Sequence, residues 1–291
     1  HLDLSLLVIF AAKVHQLIGN PNMKVVFYGQ EINKDWLLPD RGDVSFEMLA
    51  KDRIMPADTD LLITAGGDGT FLEALQIVKD SGVPIVGINF GRLGFLTGCS
   101  PDFIGHLFDA VQKKQYYKTI HTVLAIEQED LKHKIYPFAI NEICIQRYSS
   151  AMIEVDVKID GKHVSTYRGD GIIVATPTGS TAYSLSVGGP IVFPESGVLI
   201  LSPIAPHNLN VRPLVFKDDA QLEIEVKSRS SKAQLHLDNR SVDIDLPYAF
   251  VVKKASFSIT SLSLAGNDFI TTLREKLMLG FDKRNGSEDY A

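Results

Sequence analysis

A carboxylate set among three glycines, between an apolar run and an amphipathic run, constrains this chain more than any other feature. The apolar run covers residues 61–65 and the glycine-rich junction is Gly66-Gly67-Asp68-Gly69-Thr70. Glycine has no Cβ, so such a backbone can approach a ligand closely, while the following helix offers unpaired N–H groups and the positive end of its dipole. The pattern predicts a strand, a phosphate-facing turn and a helix over 70–79.

Asp68 indicates a task beyond passive phosphate binding, because a carboxylate repels phosphate. It can accept a hydroxyl proton or meet a metal ion. The alternative is an ordinary turn in which Asp68 caps the helix. Neither a Gly-Lys-Ser/Thr phosphate loop nor a GxGxxG pattern follows a predicted strand, which disfavours an ordinary P-loop ATPase or a Rossmann dehydrogenase.

Composition favours a globular protein with a small-molecule partner. The 291 residues are 45% hydrophobic and carry a net charge of −6, which allows one large domain or two ordinary ones. No Lys/Arg block suggests nucleic acid or an anionic membrane as a partner. The apolar run 4–12 is too short to span a bilayer and predicts a buried helix. Cys99 and Cys144 lie far apart, which fits the reducing cytoplasm and packed cysteines.

Hydrophobic periodicity predicts an α/β, Rossmann-like N-terminal domain over residues 1–120. Strands are expected over 24–28, 61–65 and 85–88, and a second helix from Ser100 to Lys114. The spacing predicts a parallel sheet covered by helices.

After residue 120 the hydrophobic period changes to two, which predicts a mainly β domain over 121–262. A hairpin is expected over 153–167 around Asp160-Gly161, with further strands over 222–226 and 233–237. Residues 263–291 should form a C-terminal helix and tail, capped by Asn267 or Asp268 and stopped by Gly280, with the helix packed back on the first domain.

A second glycine- and hydroxyl-rich region follows the hairpin. Arg168-Gly169-Asp170-Gly171 precedes a short strand, and a run of small polar residues extends from Thr176 to Pro190. Small hydroxyl residues beside glycines suit a purine and a ribose, Tyr183 offers an aromatic face, and Asp170 can accept hydrogen bonds from ribose hydroxyls or an amide. The alternative is a Ser/Thr/Gly-rich loop without a ligand.

Asn141-Glu142 interrupts strand-like sequence and should face water or a partner, since burying a bare carboxylate is costly. An exposed edge strand is the alternative. The loop 89–96 has the glycines of a ligand-approaching loop, although a structural turn explains it almost as well. Among the eight histidines no metal-ligand spacing occurs, and His121 and His236 are expected to be packed or surface residues.

Taken together, these motifs resemble the NAD kinase family, in the same order and across about residues 60–240. The motifs are Gly66-Gly67-Asp68-Gly69-Thr70, Gly91-Arg92-Leu93-Gly94-Phe95-Leu96, Asn141-Glu142, Gly169-Asp170-Gly171 and the run from Thr176 to Pro190. The first motif alone is shared with diacylglycerol-type lipid kinases and, in related form, with phosphofructokinases. A lipid kinase would require an apolar or basic membrane-facing surface, which the sequence does not show.

The resemblance implies transfer of the γ-phosphoryl group of ATP to the 2′-hydroxyl of the adenosine ribose of NAD, giving NADP. Asp68 would then be the proton acceptor and also orient the hydroxyl. Gly66, Gly67, Gly69 and Thr70 would meet phosphates, with Gly69 also close to NAD. The expected NAD contacts are Asn141, Glu142, Arg168, Asp170, Thr181, Ala182, Tyr183, Ser184, Leu185 and Ser186.

The resemblance further implies a divalent metal ion, Mg²⁺, brought with ATP, and a cytoplasmic homodimer or homotetramer. At Asp238-Asn239-Arg240 the chain departs from the Asp-Gly-Gln that relatives often carry. A non-catalytic NADP-binding regulator is the alternative of a different class. The intact Asp68 argues against it, because binding alone gains little from a carboxylate beside phosphates.

Overall fold

The computed structural model describes residues 23–29, 44–50, 54–89, 94–98, 115–263 and 268–278. Several predictions lie outside these residues. They are the helices over 4–12 and 100–114, the residues Gly91-Arg92-Leu93 of the loop 89–96, Cys99, and the roles of Asn267 and Gly280.

The described chain consists mainly of β-strands. In chain order the strands are β1 (Met23–Tyr28), β2 (Val44–Met48), β3 (Leu61–Ala65), β4 (Ile85–Ile88), β5 (Tyr117–Glu127), β6 (Phe138–Ala139), β7 (Glu142–Arg147), β8 (Ile153–Ile159), β9 (Lys162–Gly169), β10 (Gly171–Ala175), β11 (Val198–Ile204), β12 (Leu214–Lys217), β13 (Leu222–Ser228), β14 (Lys232–Leu237), β15 (Arg240–Asp245) and β16 (Tyr248–Ser263). The helices are α1 (Asp68–Val78), α2 (Tyr183–Ser186) and α3 (Phe269–Leu277), with 3-10 turns at Glu129–Leu131 and Thr178–Thr181.

The first sheet combines the parallel strands of the N-terminal half with antiparallel strands of the C-terminal half. Its order is β2-β1-β3-β4-β16-β13-β8-β9, and β5 pairs with both β16 and β6. Strands β1 to β4 are mutually parallel, and α1 connects β3 to β4, so the predicted strand–helix–strand unit is confirmed. The helix begins at Asp68 and ends at Val78, slightly before the predicted 70–79.

Strand β16 joins the two halves of the chain. Its C-terminal end lies parallel to β4 through Ser261 and Ile85, while most of its length is antiparallel to β5. Its N-terminal end, residues 248–252, pairs with β13 of the C-terminal half of the chain. One 16-residue strand therefore belongs to both halves.

The second sheet is antiparallel throughout and has the order β12-β11-β10-β7-β14-β15. The predicted hairpin is present as β8 and β9, and the strands predicted over 222–226 and 233–237 are present in β13 and β14. The mainly β C-terminal half is thus confirmed, and the alternation of apolar and polar residues follows from one face of each strand facing the core.

Apolar side chains of the two sheets form the main core. Fully buried members include Leu124, Val157, Leu199, Val226 and Leu235. A second cluster packs α1 against the parallel strands, and β5 and β16 contribute Val123 and Ile259 to it. Cys144, a free cysteine, is buried as predicted. No helix in the described ranges is long and apolar enough to cross a bilayer.

The C-terminal helix packs against the first half, as predicted. Asp268 caps α3 by accepting the N–H groups of Ile270 and Thr271 at 2.9 and 3.0 Å. The Phe269 ring lies between Phe95, at a centroid distance of 6.3 Å, and Phe193, at 5.1 Å. This helix therefore contacts the loop that follows β4.

The buried and exposed ends of β5 provide a test of the core. Leu124 is fully buried between the sheets, whereas Ile120 on the same strand is 46% exposed. We expect Leu124→Ala to lower the free energy of unfolding by about 2–5 kcal/mol, because it leaves a cavity. Ile120→Ala, the matched control, should lower it by less than about 1 kcal/mol. Urea denaturation measures both, and equal losses would contradict the described packing.

Candidate active site

The carboxylate of Asp68 holds the loop that follows β4. Its Oδ2 accepts the backbone N–H of Phe95 at 2.8 Å. Its Oδ1 accepts the N–H groups of Leu96 and Thr97, both at 3.1 Å, and the hydroxyl of Thr97 at 2.9 Å. The N-terminus of α1 has no side-chain cap, so the alternative in which Asp68 caps the helix is wrong.

The loop is shaped to receive this carboxylate. A Cβ at Gly94 would overlap Asp68 Oδ1 and Thr97 Oγ1, so only glycine fits there. Asn89 Nδ2 donates to Thr97 Oγ1 at 3.2 Å and thereby orients the Thr97 hydroxyl toward Asp68. In the described residues Oδ2 accepts one hydrogen bond and Oδ1 accepts three, which leaves Oδ2 the freer acceptor.

The turn before α1 combines one packed glycine with two open ones. A Cβ at Gly66 would overlap the Thr70 side chain. Gly67 and Gly69 are exposed, and a Cβ on either would meet no described atom within 4 Å. The surface at Gly67 and Gly69 is therefore open at the positive end of the α1 dipole, where an anionic group is stabilised.

Asn141 and Glu142 are buried inside the second sheet. Strand β7 lies between β10 and β14, and the two residues are 9% and 8% exposed. The alternative of an exposed edge strand is therefore wrong. The buried backbone N–H groups of this segment are satisfied by Asp238, whose role sequence reasoning left in doubt.

Asp238 fixes the backbone that leads into β7. Its fully buried carboxylate accepts the N–H groups of Ile140, Asn141 and Glu142 at 2.9, 2.8 and 3.2 Å. Arg240 Nη2 lies 3.6 Å from Asp238 Oδ2. Burial raises the pKa of Asp238, while the three N–H donors and Arg240 oppose that shift. The three hydrogen bonds hold this segment in place.

The carboxyl of Glu142 is held in its neutral form. Burial, and secondarily the nearby negative charge of Asp238, raises the pKa of Glu142 to about 8. Its Oε2 is buried and has no hydrogen-bond partner in the described structure. A neutral carboxyl can donate as well as accept, so an unpaired oxygen here suits a ligand with hydroxyl or carbonyl groups.

The hydroxyl-rich run packs directly against Asn141. A Cβ at Gly179 would overlap the Asn141 carbonyl oxygen, which explains the glycine. Buried Thr176 donates to the carbonyl of Ile140 at 2.6 Å and accepts the Gly179 N–H at 3.1 Å. The run and the Asn141–Glu142 segment are therefore one packed unit.

Members of this run differ in exposure. Ser184 is fully buried and its hydroxyl lies 3.0 Å from that of Ser202, so it supports the fold of the run. Tyr183 is 37% exposed, and its hydroxyl accepts from Gln146 Nε2 at 2.5 Å. The remaining predicted contacts are half-buried or exposed: Thr181, Ala182, Leu185 and Ser186.

Asp170 and Arg168 are both ion-paired but lie in different places. Asp170 accepts from Arg147 Nε at 2.7 Å and from Nη2 at 3.3 Å, next to β7. Arg168 pairs with Glu154 at 2.7 Å across the β8–β9 hairpin. Asp170 is thus joined to the unit that contains Glu142, whereas the described contacts of Arg168 belong to the hairpin.

Sequence reasoning missed several residues of this site. Thr97 completes the Asp68 contacts, and Gln146 and Arg147 hold Tyr183 and Asp170. A signal for Gln146 was present, since strand alternation places it on the same face as Glu142.

His236 pairs with Cys144 in the sheet register and is half-buried. No group of three or more His, Cys, Asp or Glu side chains suited to a metal ion occurs within the described ranges.

Comparison with known proteins gave consistent matches. The family model for the ATP-NAD kinase N-terminal domain matches residues 16–116, and that for the ATP-NAD kinase C-terminal domain matches residues 140–260. An NAD kinase of Bacteroides fragilis is 43% identical over 228 residues, which cover 78% of this chain and 79% of the relative. An NAD kinase of Flavobacterium johnsoniae is 40% identical over 278 residues, covering 94% and 90%.

Two solved structures have a similar fold. A yeast NADH kinase complexed with NADH matches with a TM-score of 0.78 and 24% identity, covering 92% of this chain and 91% of that one. An NAD kinase from Archaeoglobus fulgidus in complex with ATP matches with a TM-score of 0.69 and 30% identity, covering 84% and 94%.

Because the Glu142 carboxyl is neutral, we expect Glu142→Gln to change the stability of the protein by an amount that depends on pH. The folded pKa of about 8 lies above the unfolded value of about 4.3, so the folded protein keeps a proton that the unfolded chain releases, and stability falls as the pH rises between these values. We expect the melting temperature of Glu142→Gln, relative to the parent, to increase from about pH 5 to about pH 8 and then level off. Glu225→Gln, at an exposed position of β13, is the control. A difference that is constant with pH would contradict the assignment.

Gly94→Ala tests the contact between Asp68 and its loop. The added methyl group overlaps Asp68 Oδ1, so the variant should lose about 1–3 kcal/mol of stability through the broken hydrogen bonds. Gly69→Ala is the control, because its methyl group meets no described atom and alanine favours the helix by about 1 kcal/mol. Chemical denaturation of both variants measures the effect. Equal stability of the two variants would contradict it.

Proposed function

Because the chain belongs to the NAD kinase family and phosphorylates NAD at the expense of ATP, we propose that the Asp68 turn and the Asn141–Glu142 unit together form its catalytic site. The group transferred is the γ-phosphoryl group, and the acceptor is the 2′-hydroxyl of the adenosine ribose. The observation that carries this proposal is the carboxylate of Asp68, which is fixed by four hydrogen bonds at the N-terminus of a helix with an open glycine surface.

Asp68 acts as the proton acceptor. The 2′-hydroxyl oxygen forms a bond to the γ-phosphorus while the bond to the oxygen bridging the β- and γ-phosphates breaks, and ADP leaves with that oxygen. The hydroxyl proton goes to Asp68 Oδ2, the oxygen with fewer described donors. Phosphoryl transfer depends mainly on positioning and charge stabilisation, and the loop donors hold the carboxylate in one orientation without further reorganisation.

The phosphates of ATP lie against the turn. Gly67 and Gly69 leave the surface open, Gly66 packs on Thr70, and the first N–H groups of α1 point toward the anion. A divalent ion, Mg²⁺, arrives with ATP and neutralises phosphate charge.

NAD occupies the face formed by β7 and the hydroxyl-rich run. The neutral carboxyl of Glu142 donates to a ribose oxygen, and Asn141 holds the same part of the ligand. The exposed ring of Tyr183 stacks on the adenine, and Asp170 accepts from the nicotinamide amide. The other contacts come from Thr181, Ala182, Leu185 and Ser186, while Ser184 acts through its pair with Ser202. Arg168 exchanges its Glu154 partner for the new 2′-phosphate.

We also propose that the enzyme is a cytoplasmic homodimer or homotetramer. The edge strand β12 carries the exposed apolar residues Leu214 and Val215, and Leu209 nearby is 88% exposed. Such residues are a frequent feature of protein interfaces. Two cysteines distant in sequence, of which Cys144 is free and buried, suit a reducing compartment.

Asp68→Asn tests the function and the role of the carboxylate. NADP formation from NAD and Mg-ATP is followed through a strictly NADP-dependent dehydrogenase. We expect turnover to fall by about two to four orders of magnitude, because the general base is lost, while NAD binding measured by calorimetry persists.

The control for this variant is Asp80→Asn, an exposed aspartate just beyond the end of α1. It should retain the turnover of the parent. Asp68→Asn within about tenfold of the parent would remove the assignment of Asp68 as proton acceptor. NAD binding without turnover in the parent would instead indicate a regulator that binds the nucleotide.

A further inference from the structure

His121 is a buried imidazole that the mechanism above does not use. It lies on β5 and is 5% exposed, two residues before Val123 in the apolar cluster around α1. Its Nδ1 is 3.0 Å from Thr178 Oγ1 and its Nε2 is 2.7 Å from Ser261 Oγ. The ring also meets Phe71 of α1 edge to face, with centroids 6.0 Å apart.

The contacts of His121 join the elements that carry both halves of the site. Phe71 is three residues beyond Asp68 on the same helix. Thr178 opens the 3-10 turn that leads to Tyr183, and Ser261 lies on β16 at its register pair with Ile85 of β4. One side chain therefore touches the helix of the proposed base, the run of the proposed NAD site and the strand shared by the two halves.

Both ring nitrogens of His121 are satisfied by hydroxyl groups. A neutral imidazole has one donor and one acceptor, and a hydroxyl can serve as either, so both tautomers fit. Burial lowers the pKa of His121 to about 4, so the ring is neutral near pH 7. It can fix distances between its neighbours without introducing a charge into the apolar cluster.

A role in packing alone does not explain this residue. Burying an imidazole costs desolvation that an aliphatic side chain would avoid, and the hydrogen bonds only offset that cost. They do, however, impose a definite distance and direction between Thr178 and Ser261, which apolar contacts specify less strictly. The turn held at Thr178 is also in contact with Asn141, since Gly179 packs on the Asn141 carbonyl oxygen.

We propose that His121 is a positioning residue that sets the NAD-binding run relative to the helix that carries Asp68. The inference rests on the proposed function. When the His121–Thr178 hydrogen bond is lost, the turn shifts against α1, and the ribose hydroxyl is presented to Asp68 less accurately. Misplacement by about 1 Å can lower a rate by about a hundredfold.

A double-mutant cycle between His121 and Thr178 tests this role. His121→Phe keeps a ring of similar shape, and Thr178→Val keeps the volume of the threonine; each removes the shared hydrogen bond. We expect each variant to lower kcat/KM for NAD by about ten- to a hundredfold, with KM for Mg-ATP changed by less than about twofold. The double variant should be no worse than His121→Phe alone, because the second change removes nothing further.

Two further variants separate positioning from stability. His163→Phe, an exposed histidine on β9, is the control and should leave kinetics and melting temperature unchanged. If His121→Phe does not fold, Thr178→Val and Thr178→Ser carry the test, since serine restores the hydroxyl and should restore most of kcat/KM.

The proposal would be overturned if the effects of His121→Phe and Thr178→Val on kcat/KM multiplied in the double variant. It would also be overturned if kcat/KM fell equally for NAD and for ATP, in proportion to the loss of stability. NAD affinity, measured by calorimetry, provides a readout that does not require turnover. If the parent protein had no kinase activity, the proposed function would fail, but a weaker and non-additive NAD affinity of the same variants would still support the role of His121. Unchanged NAD affinity would then count against it.

Discussion

The hydrogen bonds along β16 join the N-terminal and C-terminal halves of the chain, and each half carries one part of the proposed site. The strand lies beside β4 at one end and β13 at the other, and it pairs with β5 along most of its length. Asp68 follows β3, which lies on the β4 side of β16. Glu142 belongs to the second sheet, which packs on the C-terminal strands of the first sheet. The distance between the two carboxyl groups therefore depends on how these strands pair, and the neutral, hydrogen-bonded ring of His121 lies where they meet.

The carboxylates of Asp68 and Asp238 each fix a backbone segment by accepting hydrogen bonds from consecutive N–H groups. Asp68 accepts the N–H groups of residues 95–97, and Asp238 accepts those of residues 140–142. In each case three consecutive donors converge on one side chain, which fixes a loop that would otherwise expose unpaired backbone groups. Glu142 differs because its Oε2 has no partner in the described structure, and burial raises its pKa to about 8. The buried carboxyl groups of Asp238 and Glu142 thus differ in the donors that each receives.

Local patterns in the sequence were sufficient for much of the fold. Alternation identified the β8–β9 hairpin, and the glycine-rich junction identified the β3–α1 turn, because both depend on neighbours in the chain. The burial of Asn141 and Glu142 was not predictable in this way, since Asp238, which accepts their backbone N–H groups, is almost a hundred residues distant. The direction of the Asp68 side chain was not predictable from neighbouring residues either, because its partners lie 27 to 29 residues further on. Local periodicity also could not separate buried Ser184 from exposed Ser186.

The central position of β16 determines when the first sheet can be completed during synthesis. Strand β4 has β3 on one side, and in the described structure its other side is covered by a strand that begins only at residue 248. A nascent chain therefore carries an open edge at β4 until most of the protein has left the ribosome. Contacts of such sequence separation close slowly, and open strand edges promote association between unfinished chains. Folding of the two halves is consequently coupled, and the N-terminal half alone does not contain all the strands of its own sheet.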